Sequence, residues 1–309
     1  MDSKLLLSVS PHIHTKRTTS KIMLDVIIAL MPATIAGIII FGARAAAVVG
    51  ICIATAVLSE FIFNLIIKKE QTIYDFSAVV TGLLLALNLP ANIPLWQAVI
   101  GTIFAIIIVK CFFGGIGCNL VNPAITARVF MLVAFGTMTK AAFPTGVDAA
   151  SSATPLVDIA SGKSVELLDL FIGRRGGAIG ETCVLALIIG GIYLLARRVI
   201  TWQLPVTFIA TVFLFSLALE GFDFTTALMW TMSGGLFIGA IFMATDYVTS
   251  PATPWGKVIF GLGAGIITVL IRFYGIYPEG VSFAILLMNI LNPYINSWTK
   301  RKLFGGEKK

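Results

Sequence analysis

The sequence predicts an all-α polytopic membrane protein, and three observations support this fold class. Its 309 residues are 58% hydrophobic and only 12% charged, and the mean hydropathy is +0.97. Soluble domains contain about 25% charged residues, so a soluble core could not cover this much apolar surface. The apolar runs are also long and do not alternate with polar residues. Because backbone groups in lipid must be satisfied internally, such runs predict helices rather than barrel strands.

The helices follow from the apolar runs in chain order. About 20 apolar residues cross the roughly 30 Å of a bilayer core, and eight runs mostly approach that length. Two shorter runs, Phe76–Leu89 and Leu120–Phe135, complete the series. The ten predicted spans are Ile22–Phe41, Ala45–Ile67, Phe76–Leu89, Leu95–Val109, Leu120–Phe135, Ala178–Ala196, Pro205–Leu219, Thr225–Ala244, Val258–Ile271 and Val281–Leu291.

The distribution of basic residues predicts the topology. With the N-terminus in the cytoplasm, 15 of the 22 Lys and Arg residues fall in cytoplasmic segments, and Arg128 falls inside a span. The six on the outer side are Arg44, Lys140, Lys163, Arg174, Arg175 and Arg272. This bias follows the positive-inside rule and predicts that both termini are cytoplasmic. It also accounts for the net charge of +7, so we expect the lipid bilayer and no nucleic acid as a partner.

The longest non-apolar stretch separates two groups of five spans. Because five is odd, the second group enters the membrane from the opposite side, so related halves would form an inverted repeat. We predict a cytoplasmic arm (1–21), a first five-helix repeat (22–135), an outer loop (136–177), a second five-helix repeat (178–296) and a basic cytoplasmic tail (297–309). Several loose similarities between the halves support this: for example, an Asn-Pro pair occurs near the fifth span (Asn122-Pro123) and near the tenth (Asn292-Pro293).

Two spans are predicted to be broken half-helices. Phe76–Leu89 is followed by Pro90, and its counterpart Gly234–Ala244 runs into Pro251 and Pro254. Proline removes a backbone donor and clashes with the preceding turn. Paired interrupted helices at matching places in two halves point to a binding site, although ordinary helix ends with proline stops explain the same pattern. Two polar residues near such breaks, Asn88 and Asn122, are therefore candidate cofactor-binding residues.

The outer loop contains the most informative motif, Asp148-Ala149-Ala150-Ser151-Ser152-Ala153-Thr154. The only two histidines, His12 and His14, lie at the N-terminus, so a self-activating nucleophile is unsupported and no catalytic residue is predicted. A hydroxyl in a small surface loop can still be modified by another enzyme. The motif is similar to Asp-x-x-Ser/Thr-Gly-Ala-Thr, the signature read by the bacterial flavin transferase, with Ser152 where the signature has glycine.

Further motifs follow the same order and spacing as in a known family. They are Ser10-Pro11-His12-Ile13-His14, Met23-Leu24-Asp25-Val26, Thr81-Gly82-Leu83-Leu84-Leu85-Ala86-Leu87-Asn88-Leu89-Pro90, Gly114-Gly115-Ile116-Gly117-Cys118-Asn119-Leu120-Val121-Asn122-Pro123-Ala124 and Ala153-Thr154-Pro155-Leu156. Together they resemble the RnfD/NqrB family, which contains the D subunit of the Rnf ion-translocating oxidoreductase and the B subunit of the sodium-pumping NADH:quinone reductase. The resemblance runs from about Ser10 to Asn296, and the short N-terminal arm is typical of the Rnf member.

The resemblance implies a fold similar to urea and ammonium channels, with two inverted five-helix repeats. It implies FMN joined through its phosphate to Thr154, with Asp148, Ser151, Ser152 and Ala153 in the recognised segment. It also implies a second flavin, riboflavin or another, that is held non-covalently. We expect the Thr154 loop on the outer side of a prokaryotic cell membrane (the inner or plasma membrane).

The resemblance further implies a role in a redox-driven translocase. Rnf complexes pass electrons between ferredoxin and NAD⁺ and couple the transfer to Na⁺ or H⁺ movement, so this chain would be a subunit that is not catalytic alone. The implied partners are other Rnf subunits, including a covalent-FMN subunit on the outer side and membrane iron–sulfur subunits, and the flavin transferase. CxxC clusters and nucleotide-binding loops are absent from the sequence, so NAD and ferredoxin would be bound elsewhere.

Ionisable residues within spans are expensive and usually face the bundle interior. Glu60, with Ser59 and Asn64 about one turn away, is a candidate for an ion pathway, a subunit interface or a satisfied structural role. Arg128 is a candidate to bind a flavin phosphate or a reduced isoalloxazine. A structural pair between Arg128 and a carboxylate of a neighbouring helix is an equal alternative.

Two other functions remain open at this point. The broken helices also fit a channel or secondary transporter for a small solute or ion without a redox cofactor. A scaffold that has lost its flavin is a further possibility, with Ser152 as the sign of that loss. The Asp148–Thr154 motif favours the redox subunit, because a channel has no need of it. No metal site is predicted.

Overall fold

The computed structural model describes residues 17–139, 142–144, 155–160, 166–275 and 279–300. The helices are α1 (Thr19–Phe41), α2 (Ala43–Ile67), α3 (Ser77–Leu87), α4 (Leu95–Ile103, continued by a π-helix Phe104–Cys111), α5 (Pro123–Ala134), α6 (Pro155–Ala160), α7 (Leu167–Ile172), α8 (Val184–Ala196), α9 (Gln203–Leu219), α10 (Phe224–Met232), α11 (Leu236–Ile238, continued by a π-helix Gly239–Met243), α12 (Pro254–Tyr274) and α13 (Val281–Thr299). Short 3₁₀ turns cover Ile73–Asp75 and Gly136–Thr139. In these ranges β pairing is limited to two isolated bridges, so the all-α class is confirmed for them.

Each predicted span overlaps a helix. Thr225–Ala244 overlaps two, α10 and α11, and the helix within Ala178–Ala196 begins only at Val184. Among the described residues, α1, α2 and α12 are each long and apolar enough to cross a membrane, and α10 with α11 is a fourth candidate as a bent pair. The apolar helices α3, α4 with its continuation, α5, α8 and α9 are shorter, at 10–17 residues. The structure therefore has several candidate spans, and the number ten stays a prediction.

Polar side chains fix where two of the helices begin. Asn122 accepts hydrogen bonds at 3.0 and 3.3 Å from the amides two and three residues ahead, and Pro123 takes the first position of α5. Thr253 caps α12 in the same way at 3.1 Å, with Pro254 next. Both arrangements satisfy amides that have no partner inside a helix. Pro254, one of the prolines that the sequence predicts as breaks, is therefore also a helix start.

One sequence parallel between the halves does not extend to the structure. Asn122-Pro123 begins α5, whereas Asn292-Pro293 lies inside α13. The predicted span Leu120–Phe135 also begins late, because residues 112–121 form turns instead of helix. Gly114, Gly115 and Gly117 have positive φ there, a conformation that glycine adopts without steric cost.

Close helix packing joins the two halves of the chain. A Cβ built on Gly190 of α8 would lie 2.1 Å from the carbonyl oxygen of Ala29 in α1, so only glycine permits this approach. Small residues at such crossings are typical of helix packing in membranes. Within the first half α2 packs on α3 and α4, and within the second half α9 packs on α10 and α12. A single large cluster of buried apolar residues runs through both halves.

A sharp bend separates α10 from α11. The two axes differ by 64°, and the turn between them is Ser233–Gly235. Gly234 has φ +68°, a left-handed conformation that disfavours other residues. The bend exposes backbone carbonyls inside the molecule, and the charged side chains described next bind them.

Candidate functional site

Five buried or nearly buried charged residues meet at this bend, and we call them the break cluster. They come from α5, the segment before α8, the end of α12 and the turn before α13. Its members are Arg128, Arg175, Glu181, Arg272 and Glu279. Three arginines and two glutamates give the cluster a formal charge of +1 when all are ionised.

Arg128 is the link between the halves within this cluster. Its Nη2 donates to Glu181 Oε1 at 2.5 Å and also to Glu279 Oε2, and its Nη1 donates to Asn88 Oδ1. The side chain of Arg128 is 7% exposed, so the pairs are shielded from water. The alternative in which Arg128 pairs with carboxylates of neighbouring segments is therefore what the structure shows.

Arg175 and Arg272 hold the bend through backbone carbonyls. Arg272 donates to Trp230 O at 2.6 Å and to Ser233 O at 3.0 Å. Arg175 donates to Met232 O at 2.7 Å and to Glu181 O at 3.1 Å. The carbonyls of Trp230, Met232 and Ser233 lie where the helix is interrupted, so they lack the partners that a continuous helix would supply. Both arginines, counted as outer-side charges in the sequence, are in fact buried.

The helix that follows the flavin-type motif packs beside the bend. α6 begins at Pro155, one residue after Thr154, and buries Leu156 and Ile159 in a cluster with Trp230 of α10. A Cβ on Gly234 would lie 2.9 Å from Leu156 Cδ1 and 3.2 Å from Arg272 Nη2. The chain next to the motif is thus anchored close to the break cluster.

The motif residues themselves lie outside the described residues. These are Asp148, Ser151, Ser152, Ala153 and Thr154. Their assignment as a flavin-attachment segment remains a prediction.

The remaining candidates, Asn88 and Asn122, meet at the second π-helix. Asn88 Nδ2 donates to Leu84 O at 2.6 Å and lies 3.6 Å from Met243 Sδ. Asn122 Nδ2 donates to Met243 O at 3.3 Å. Since Asn88 also accepts from Arg128, the structure brings all three predicted residues into one connected region.

A cavity of about 270 Å³ adjoins this region, and Asn122 lines it. Most of its wall is apolar, with a few polar groups, as in small-molecule sites. Its polar lining includes Lys110, Asn119, Asn122 and Asp246. Asn119 Oδ1 is buried without a hydrogen-bond partner in the described structure. Burial raises the pKa of the Asp246 carboxyl, which lies in the loop after the π-helix.

A buried ion pair lies at the edge of this cavity. Lys110 Nζ contacts Glu60 Oε2 at 2.8 Å and donates to Ser77 Oγ at 2.6 Å, and both charged side chains are 3% exposed. Glu60 also accepts from Thr72 at 2.6 Å, and Thr72 accepts from Asn64 at 3.0 Å. Glu60 thus has a satisfied structural role, and Lys110 is buried instead of lying free in a cytoplasmic segment.

The sequence did not indicate Glu279 as a site residue, nor the role of Arg175 and Arg272 at the bend. The only signal for Glu279 is Pro278-Glu279-Gly280, a turn between two apolar runs. A turn acidic residue is ordinarily solvated, so nothing local indicates that it folds back onto an arginine 151 positions away.

Comparison with known proteins matches almost the whole chain to one family. The model described as the NQR2, RnfD, RnfE family matches residues 6–305. The D subunit of the Na(+)-translocating ferredoxin:NAD(+) oxidoreductase complex of Acetobacterium woodii is 46% identical over 310 residues, covering 98% of this chain and 96% of that protein. The D subunit of the proton-translocating ferredoxin:NAD(+) oxidoreductase complex of Clostridium ljungdahlii is 42% identical, covering 97% and 96%.

A more distant relative also aligns over nearly the whole chain. The D subunit of the ion-translocating oxidoreductase complex of Salmonella paratyphi A is 34% identical over 349 residues, covering 98% of this chain and 99% of that protein. The family match spans more than half of the chain, and all three relatives align over nearly their full length. The chain therefore belongs to the NQR2, RnfD, RnfE family.

Proposed function

We propose that this chain is a membrane flavoprotein subunit of an Rnf-type complex that couples ferredoxin and NAD redox chemistry to Na⁺ or H⁺ translocation. The observation that carries the proposal is the family match over residues 6–305, which includes the Asp148–Thr154 motif. The Acetobacterium and Clostridium relatives are named for different ions, Na⁺ and protons, so either ion fits. The chain would act only within the complex.

We propose ten membrane spans in two inverted five-helix repeats, with both termini in the cytoplasm. Matching packing relations support the repeat: α2 contacts α3 and α4, as α9 contacts α10 and α12. The cross-pairs α1 with α8 and α5 with α13 are those that a two-fold relation between the halves would give. The short α3 and the bent α10–α11 pair also occupy the same place in each half.

Covalent FMN on Thr154 is part of the proposal. The surroundings of the motif fit a flavin phosphate, because α6 begins at the next residue and its Leu156 packs against the bend held by Arg272. Arg272 Nε is a buried donor without a partner in the described structure. When bound, FMN would supply electron transfer in one- or two-electron steps. The role of the chain would be to hold the flavin at a positively charged, water-poor bend.

A second, non-covalent flavin would occupy the cavity beside Lys110. The apolar wall suits an isoalloxazine ring, and Asn119 Oδ1 is an unpartnered acceptor for a ring or ribityl donor. Lys110 would place a positive charge beside the ring, and Glu60 fixes the position of that ammonium group. Asn122, which lines the cavity, is a further polar contact.

The proposed partners are the other subunits of the complex. They include a second covalent-FMN subunit facing the Thr154 loop on the outer side and membrane iron–sulfur subunits. Maturation would require a flavin transferase. The chain would lie in the cell membrane of a prokaryote.

Flavin fluorescence of the denatured chain tests the covalent proposal. The chain is co-expressed with a flavin transferase, separated on a denaturing gel and viewed under ultraviolet light. We expect a fluorescent band in the wild type and in the Thr137→Val control from the same outer loop, and none in Thr154→Val. A dark wild-type band, with transferase activity verified on another substrate, would favour a channel or a scaffold without flavin.

Acid precipitation of the Thr154→Val chain tests the second flavin, because only non-covalent flavin remains to be released. We expect about one flavin per chain. Val80→Phe should lose that flavin, because the larger side chain would fill part of the cavity that Val80 lines. Val133→Phe, on an exposed face of α5, is the matched control and should keep the flavin. Equal flavin release from both phenylalanine variants would place the second flavin elsewhere.

A further inference from the structure

Two carboxyl groups of the break cluster converge beside Gly235. A Cβ built on Gly235 would lie 2.7 Å from Glu279 Oε1 and 2.8 Å from Glu181 Oε1, so both oxygens face the same small space. Arg128 Nη2 binds both carboxyl groups, which holds the two side chains next to each other, where one proton would join them by a hydrogen bond. Two ionised carboxylates cannot form such a bond, because neither has a proton to donate.

The supply of donors around the pair is also limited. Arg128 is the arginine that donates hydrogen bonds to both carboxyl groups. Arg175 and Arg272 lie nearby, but their described hydrogen bonds go to backbone carbonyls and to Ser233 Oγ. Asn88, the neighbour after α3, accepts from Arg128. Glu279 Oε1 is left buried without a partner in the described structure.

We propose that Glu181 and Glu279 share one proton, which makes the break cluster a proton-binding site. A proton between the two groups joins them by a hydrogen bond and supplies the missing partner of Glu279 Oε1. With this proton the pair carries one negative charge beside Arg128, and the formal charge of the break cluster becomes +2. Like charges this close ordinarily keep one proton between them.

The position of the pair indicates what the proton site would do. It lies at the bend of α10–α11, and Arg128 ties it to α5 of the other half. Loss or gain of the proton changes a buried charge near α6, which begins one residue after Thr154 and packs against the bend. The protonation of the site would therefore respond to a charge change on a flavin bound to Thr154. This last step rests on the proposed function, whereas the shared proton does not.

Infrared spectroscopy of the purified full chain in lipid nanodiscs tests the shared proton. A protonated carboxyl gives its own C=O stretching band, which shifts between H₂O and D₂O. The chain carries Thr154→Val, so the result is independent of the covalent flavin. It also carries Asp246→Asn, which removes the carboxyl outside the pair whose pKa is raised among the described residues. We expect the band at neutral pH and its loss in both Glu181→Gln and Glu279→Gln, since each carboxyl holds the proton only beside the other.

Glu220→Gln is the matched control, because Glu220 accepts from Trp230 Nε1 at 2.8 Å and lies outside the pair. The band should persist in this variant. If the parent chain, in which both glutamates are intact, shows no such band, the proposal is overturned. Its persistence in either Glu181→Gln or Glu279→Gln would do the same, since the proton would then belong to a single residue. In the flavin-loaded chain we expect the band to change on reduction, and an unchanged band would overturn only the link to flavin charge.

Discussion

Arg128 Nη2 binds Glu181 Oε1 at 2.5 Å, across 53 positions of sequence, and this bond connects α5 to the segment before α8. The same nitrogen also binds Glu279, so one buried guanidinium joins three separate parts of the chain. Removing one partner of a buried charge pair leaves the other without compensation. The contribution of Arg128 to stability should therefore be large.

We expect Arg128→Gln to lower the free energy of unfolding by about 3–5 kcal/mol, because two carboxyl groups lose their buried cation. Reversible denaturant titration in detergent measures the change. Arg197→Gln is the matched control: Arg197 pairs with Asp25 at 3.3 Å but its side chain is 57% exposed, so the loss should be at most about 1 kcal/mol. Equal losses in the two variants would contradict a buried role for Arg128.

The contact of α1 with α8 gives a second prediction. Gly190→Ala would place a Cβ 2.1 Å from the backbone carbonyl of Ala29, so the helices must separate. Overpacking of this kind costs about 1–3 kcal/mol. Gly50→Ala in α2 is the matched control, since no atom lies within 4 Å of its Cβ, and helix propensity alone should stabilise it by about 0.5–1 kcal/mol. Thermal unfolding should shift in opposite directions, and a neutral Gly190→Ala would contradict the close packing.

The sequence predicted the helix positions well because lipid-facing helices are continuous apolar runs, as in α1 and α2. It did not predict the π-helices Phe104–Cys111 and Gly239–Met243, because the hydrophobic pattern does not distinguish their hydrogen bonding from that of an α-helix. It named Arg128 but not its partners, because Glu279 lies 151 positions away, just before α13. Pairing between distant residues depends on how the two halves pack together, and a local sequence pattern does not predict that packing.

The flavin motif yields a third prediction, which rests on the proposed function. Ser152→Gly restores the residue that the transferase signature has at this position, and glycine adopts positive φ at lower cost than serine. We expect faster flavin attachment in Ser152→Gly and little or none in Asp148→Ala. In-gel fluorescence at timed intervals after transferase addition measures the rate, with Asp158→Ala, beyond the motif in α6, as the control. Slower labelling of Ser152→Gly would show that the serine is preferred.

Asp246 gives a prediction that depends on pH. Burial raises the pKa of its carboxyl above the value of about 3.9 expected in the unfolded chain. Between these two pKa values the folded state binds more protons, so stability falls as pH rises. Asp246→Asn removes this cost and keeps an acceptor for Thr249 Oγ1, which donates to Asp246 Oδ2 at 3.2 Å. We expect a higher unfolding temperature for the variant at neutral pH and no difference below about pH 4.

Asp223 is the opposite case and serves as the control. The Thr226 hydroxyl donates a hydrogen bond at 2.5 Å to the exposed carboxyl of Asp223 and lowers its pKa. A second hydrogen bond, from the Thr225 amide, lowers the pKa further by a smaller amount. A lowered pKa contributes stability that is present above the unfolded pKa and is lost as the pH falls through the folded pKa. Asp223→Asn should therefore unfold at a lower temperature than the wild type at neutral pH, and this difference should shrink in acid. If both variants shift in the same direction at neutral pH, a common loss of capping or packing, and not burial of charge, would explain Asp246.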